Sequence, residues 1–153
     1  MSKNNPGASI VAGLITEGSV GVEIGVWDGD STAEFLTRAA HVHMVDPWPD
    51  RESQFRDVSQ KFKGKPVTIH CCTSNNFFHR FREQVDWVYI DGLHDYLHVL
   101  ADLYGAEKII KPGGVIYGDD YGKKKGVKEA VDEFCAVRSR KLELLGLSQY
   151  AIT

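Results

Sequence analysis

The sequence predicts an α/β fold: one mostly parallel seven-stranded sheet, helices on both faces, and an antiparallel C-terminal hairpin. Three observations predict it. Short β-branched runs alternate with segments of helical periodicity along the chain. The runs are apolar enough to be buried on both faces, as parallel strands are. The tail from Lys141 to Thr153 reads as two short strands about a turn near Gly146 and Ser148.

In order, the strands are expected at Ser19 to Ile24, Val42 to Val45, Pro66 to His70, Trp87 to Ile90 and Val115 to Tyr117, with the tail pair completing seven. After the first strand, Ser31-Thr32-Ala33-Glu34 has the form of a capping box, so a helix starts there. Phe55, Val58 and Phe62 share one face of the next helix. Leu93, Leu97, Leu100 and Tyr104 are expected to line a third, which stops at Lys111-Pro112-Gly113-Gly114 because proline cannot continue a helix. Val127, Ala130, Val131, Phe134 and Cys135 form a stripe on the last.

A chain of 153 residues with no low-complexity linker is one domain, spanning 1–153, too short for a separate substrate domain. Eighteen Lys and Arg against 21 Asp and Glu give a net charge of −3, so no global positive field draws the protein to nucleic acid or to a membrane surface. Cys71, Cys72 and Cys135 are an odd set with two adjacent, which suits reduced thiols in a cytoplasmic protein, and no Cys-x-x-Cys zinc spacing exists. No apolar stretch is long enough for a membrane span or a signal peptide.

Open parallel sheets bind ligands beyond the carboxyl ends of their strands, so the residues just after each strand carry the functional information. The first strand ends Glu23-Ile24-Gly25-Val26-Trp27-Asp28-Gly29-Asp30-Ser31, where two glycines let backbone approach a ligand; a plain tight turn uses the same pair. The second strand ends in Asp46, a carboxylate suited to accepting hydrogen bonds from ribose hydroxyls, although an aspartate before Pro47 is also a good turn starter. Trp48 flanks a base or belongs to the core, and Thr73 or Ser74 lines a base pocket beside structural thiols. Asp91 follows the fourth strand and Asp119 and Asp120 the fifth. Three acids at adjacent strand ends either cap helices or share a hard divalent cation such as Mg²⁺. His94, three residues past Asp91, is either a packed or exposed side chain or faces the same opening, where it would titrate as a general base must. The remaining histidines are expected to be packed or exposed bystanders. Lys123-Lys124-Lys125 reads as a solvated loop, placed where it would steer an anionic substrate.

Taken in order, Glu23-x-Gly25-x-x-x-Gly29-x-Ser31, Asp46, Ile110-Lys111-Pro112-Gly113-Gly114 and the short tail resemble the class I S-adenosylmethionine-dependent methyltransferases, from Ser19 to Thr153. The resemblance implies a Rossmann-like sheet and a cofactor site built from Glu23, Gly25, Val26, Trp27, Gly29, Ser31, Asp46, Pro47, Trp48, Thr73, Ser74 and Asp91. Within that class, Asp91-Gly92-x-His94-x-Tyr96 followed by Asp119-Asp120 is similar to the metal-dependent O-methyltransferases that act on sugar hydroxyls of macrolides. That similarity implies Mg²⁺ on Asp91, Asp119 and Asp120, His94 as general base with Asp91 beside it, and a small-molecule hydroxyl acceptor. Those enzymes carry extra segments over the substrate, whereas about 18 residues precede the first strand here. The expectation is an open site that takes a large substrate or is completed by homo-oligomerisation.

Overall fold

The computed structural model describes residues 6–49 and 51–153. In it a seven-stranded sheet has the order β3-β2-β1-β4-β5-β7-β6. The strands are β1 (Val20–Ile24), β2 (His41–Asp46), β3 (Val67–Cys71), β4 (Val85–Ile90), β5 (Ile110–Gly118), β6 (Leu142–Gly146) and β7 (Gln149–Ile152). The first five run parallel, and β7 enters antiparallel between β5 and β6. The expected sheet and its C-terminal hairpin are therefore present.

Side chains alternate across each strand, and this sorts the core into two layers. Val22 and Ile24 of β1 and Val88 and Ile90 of β4 face α5 (Tyr96–Ile109) and α6 (Lys125–Arg138), meeting Val99, Leu103, Val131 and Phe134. On the opposite face Met44, Trp87 and Tyr89 share a core with α1 (Pro6–Leu14), α2 (Asp30–Phe35) and α3 (Glu52–Lys61) through Val11, Phe35 and Val58. Phe35 is fully buried, edge-on to Trp87 at 5.2 Å and Tyr89 at 4.9 Å between ring centroids. Truncating such a ring to alanine costs about 3–5 kcal/mol.

Four local expectations are corrected. Helix α2 is capped not by Ser31 but by Gly29, in the left-handed conformation at φ 77°, with no side-chain cap bond. Thr32 instead spends its hydroxyl on Glu23. Helix α5 begins only at Tyr96, where the Asp95 side chain caps the His98 N–H, so its buried stripe is Val99, Leu103, Ala106 and Ile109. Leu93 and Leu97, expected in the core, are 60% and 71% exposed. The Pro112-Gly113-Gly114 turn lies inside β5, as a bulge that sets Val85 opposite Ile110 and Trp87 opposite Val115. Two helices carried no sequence expectation: α1, and α4 (Ser74–Arg80), whose N-cap is the Thr73 hydroxyl.

Candidate active site

The loop after β1 is tied down by side chains from β2. A Cβ on Gly25 would lie 2.2 Å from the Asp91 carbonyl oxygen and 2.7 Å from the Gly92 Cα, so only glycine lets this loop lie against the end of β4. The Asp46 carboxylate accepts from the Val26 and Trp27 N–H groups at 3.0 Å each and from the Trp48 N–H at 2.7 Å. A carboxylate has about four lone-pair sites. Asp46 is therefore mainly the clasp of the loop, with room for one ligand hydroxyl rather than two. Trp48 is buried, donates from its indole to the Trp27 carbonyl at 2.8 Å and packs on Phe55, so it belongs to the core. Pro47 precedes it and accepts weakly from the Cys71 thiol through its carbonyl. Trp27, at φ 58°, turns its indole outward, 56% exposed.

Beneath the loop lies Glu23, fully buried on β1. One carboxyl oxygen accepts from Thr32, and the other, Oε1, has no partner. Burial pushes its pKa up to about 8; the Thr32 bond opposes this, and the charges of Asp91, Asp46 and Asp28 add to it. Ser31, beside Thr32 in α2, is buried as well. The hydroxyls of Tyr89 on β4 and Tyr150 on β7 are likewise buried without partners. Orphaned buried polar atoms are rare in folded proteins. Here they gather under the expected ligand site. Thr73 and Ser74 start α4 beyond β3, and Ser74 meets Asp102 of α5, a buried acid pushed up to about 6 chiefly by burial.

Asp91, His94 and Asp120 converge, with one potential ligand atom from each lying within 4.8 Å of the others. His94 Nε2 is 2.9 Å from Asp120 Oδ2 and 3.5 Å from Asp91 Oδ1. Both contacts are within ion-pair distance, though neither has the alignment of a hydrogen bond, and the nitrogen itself is shielded from solvent. Asp91 holds the imidazole above its ordinary pKa, burial opposes it, and Asp120 adds to the rise. The Asp91 carboxyl is itself raised, first by burial and then by the neighbouring acids, against the pull of His94.

Asp119 is placed differently from its neighbour. Its Oδ1 accepts the Asp120 N–H at 2.5 Å and the hydroxyl of Ser148, in the turn between β6 and β7. Asp120, at φ 64°, is thereby swung toward His94. Ser148 and Thr32 were missed as site residues. Ser148 lies 29 residues from its partner, and Thr32 sits in a pattern that reads equally as a cap. His41, His43 and His70 stack along β2 and β3 against Phe77 and Phe81, a packed cluster of its own.

The sequence pattern of the methyltransferase domain family matches residues 22–121, more than half of the chain. No curated protein matches it. Among solved structures, a putative caffeoyl-CoA O-methyltransferase from Staphylococcus aureus superposes with a TM-score of 0.77 at 15% identity, over 99% of this chain and 84% of that one. A putative rRNA methylase from Clostridium thermocellum gives 0.73 at 17% identity, over 99% and 95%. A putative methyltransferase from Streptococcus mutans, in complex with SAH, gives 0.70 at 14% identity, over 99% and 98%. At these identities the likeness concerns the fold.

Proposed function

The chain belongs to the methyltransferase domain family and is an S-adenosylmethionine-dependent methyltransferase; from that premise we propose that it methylates a hydroxyl of a small molecule, assisted by Mg²⁺. The observation that carries this reading is the convergence of His94 with Asp91 and Asp120, beside the β4 end that the glycine loop touches directly.

The residues suit both groups. The orphaned Glu23 Oε1 and the close-packed Gly25 fit a cationic cofactor; Val26, Trp27, Gly29 and Ser31 carry the same loop into α2, Asp46, Pro47 and Trp48 form its clasp and flank, and Thr73 and Ser74, at the start of α4, are proposed contacts beyond β3. Bound S-adenosylmethionine supplies an electrophilic methyl on a sulfonium. Two carboxylates within reach of one another, with an imidazole beside them, fit a divalent cation. Asp91, Asp120 and the Asp119 oxygen that Ser148 leaves free are its proposed ligands, and the cation supplies Lewis-acid activation of the hydroxyl.

The chain's own part is positioning and proton transfer. Asp91 and Asp120 raise the proton affinity of His94, against its burial, and Nε2 is the atom that would take the hydroxyl proton. The strand ends would bring acceptor and methyl donor together, and such positioning contributes strongly to two-substrate transfer. The free thiols of Cys71, Cys72 and Cys135 agree with a cytoplasmic setting, and among the described residues no helix is long and apolar enough to cross a membrane. A homo-oligomer that closes the open site belongs to the same proposal.

Calorimetry with SAH, followed by methyl-transfer assays on hydroxyl acceptors with and without EDTA, tests the reading. Binding plus EDTA-sensitive O-methylation is expected. Activity that survives EDTA removes the cation, and transfer to RNA or to amines removes the small-molecule hydroxyl.

A further inference from the structure

Among the described residues, seven large apolar side chains are strongly exposed, and four of them, Trp27, Leu93, Leu97 and Leu147, gather at one end of the sheet. It is the end that carries His94. Trp27 lies in the loop that Gly25 packs against Asp91 and Gly92. Leu93 and Leu97 flank His94 in sequence and are 60% and 71% exposed. Leu147 precedes Ser148, whose carbonyl accepts the Tyr121 N–H at 3.0 Å just past Asp120. Scattered exposed leucines need no explanation, whereas several at the sheet end that carries a polar cluster do.

Cations share this rim. The Arg51 guanidinium stacks on the Trp27 ring at 3.7 Å. The Lys123 and Lys124 N–H groups bond to the Asp120 carbonyl at 3.1 and 3.0 Å. Gly126, two residues on, packs against the backbone of residues 94–96, so the lysine run lies beside His94 and Leu97. Lys124 is near enough for its charge to reach the imidazole. The first turn of α6 holds no acid to offset these lysines.

We propose that the acceptor is an anionic amphiphile: a molecule with an apolar ring or chain beside the reacting hydroxyl and a carboxylate or phosphate beyond it. This rests on the O-methyltransferase reading above and narrows its substrate class. The hydroxyl descends to His94, the apolar body lies across Leu93, Leu97 and Trp27, and the anion meets Lys123, Lys124 or Arg51. A bare sugar would leave the apolar rim wet, and a neutral hydrocarbon would leave the lysines without a counter-charge.

The test is calorimetry on the SAH-loaded protein with three probes: 6-hydroxy-2-naphthoate, 2-naphthol, which lacks the anion, and glucose 1-phosphate, which lacks the apolar body. The naphthoate is expected to bind at least about tenfold more tightly than either control. Leu93→Ser with Leu97→Ser, and separately Lys123→Glu with Lys124→Glu, should each weaken it by about tenfold or more. SAH affinity should not change in either variant. Equal binding of naphthoate and glucose 1-phosphate, or an unaffected leucine variant, overturns the proposal while leaving the methyltransferase assignment standing. Failure of the wild-type protein to bind SAH overturns both.

Discussion

Asp86 and Asp91 sit at opposite ends of one strand and experience opposite electrostatics. At the amino end of β4, burial tends to raise Asp86, but Lys111 at 2.7 Å and the Val20 N–H at 2.8 Å more than offset it and hold the carboxyl below its usual range. At the carboxyl end, burial raises Asp91, and two more acids add to the rise. Glu23, two strand positions before Gly25, is raised further still. One end of the sheet satisfies its charges and contributes stability. The other crowds several acids together with one imidazole, so Asp91 and Glu23 are raised rather than lowered, which is how sites poised for ligands differ from structural ones.

The largest expected break in this contrast is chemical. His94→Ala and Asp120→Ala should lower methyl transfer by about 10²–10⁴-fold while SAH affinity barely moves. Single-turnover assays beside calorimetry read both quantities, and near-wild-type turnover would strip the carboxyl-end cluster of its role.

Glu23→Gln should weaken cofactor binding about tenfold or more and yet stabilise the empty fold at alkaline pH. Because the folded pKa of about 8 lies above the ordinary 4.5, the acid's contribution is complete below pH 4.5 and is lost as pH rises through about 8. Thermal melts of wild type should decline across that window, and the glutamine variant should lose that part of the decline. Parallel curves would mean that Glu23 is not buried as an acid.

Ser148→Ala sharpens the comparison within the site itself. Without the hydroxyl, Asp119 is free to turn and Asp120 loses its brace, so Mn²⁺ binding followed by electron paramagnetic resonance should weaken about tenfold. Ser148→Thr should restore it. A wild-type Mn²⁺ affinity in the alanine variant would show that the hairpin turn does not set the ligand geometry.

Smallest is the amino end. Asp86→Asn should cost about 1 kcal/mol in denaturant unfolding, since the pair with Lys111 is partly exposed, and should leave SAH binding unchanged. A changed cofactor affinity would erase the distinction between the two ends.

Much of the fold was legible because buried parallel strands announce themselves as short β-branched runs, and the tail hairpin by its turn residues. Helix α1 was not, since Gly7 and Gly13 weaken its propensity; its position depends on Gly7 lying flat against Gln149, where a Cβ would meet the side chain at 2.1 Å. Helix α4 is seven residues with only Phe77 buried, too short for periodicity to register. The Leu93 and Leu97 stripe misled because helical spacing says nothing about whether a helix has begun; the Asp95 cap decides that. In the site, Asp91 and His94 could be read together from their spacing. That Asp120 rather than Asp119 meets His94 could not, because Asp119 is held by Ser148, 29 residues away in the turn before the neighbouring strand β7.

The Asp46 clasp bears on kinetics. With the Val26, Trp27 and Trp48 amides already bonded, the glycine loop is folded before any ligand arrives, so encounter does not wait for a rearrangement. Cofactor association should then run at a rate set by diffusion and orientation, and differences among ligands should appear as differences in residence time.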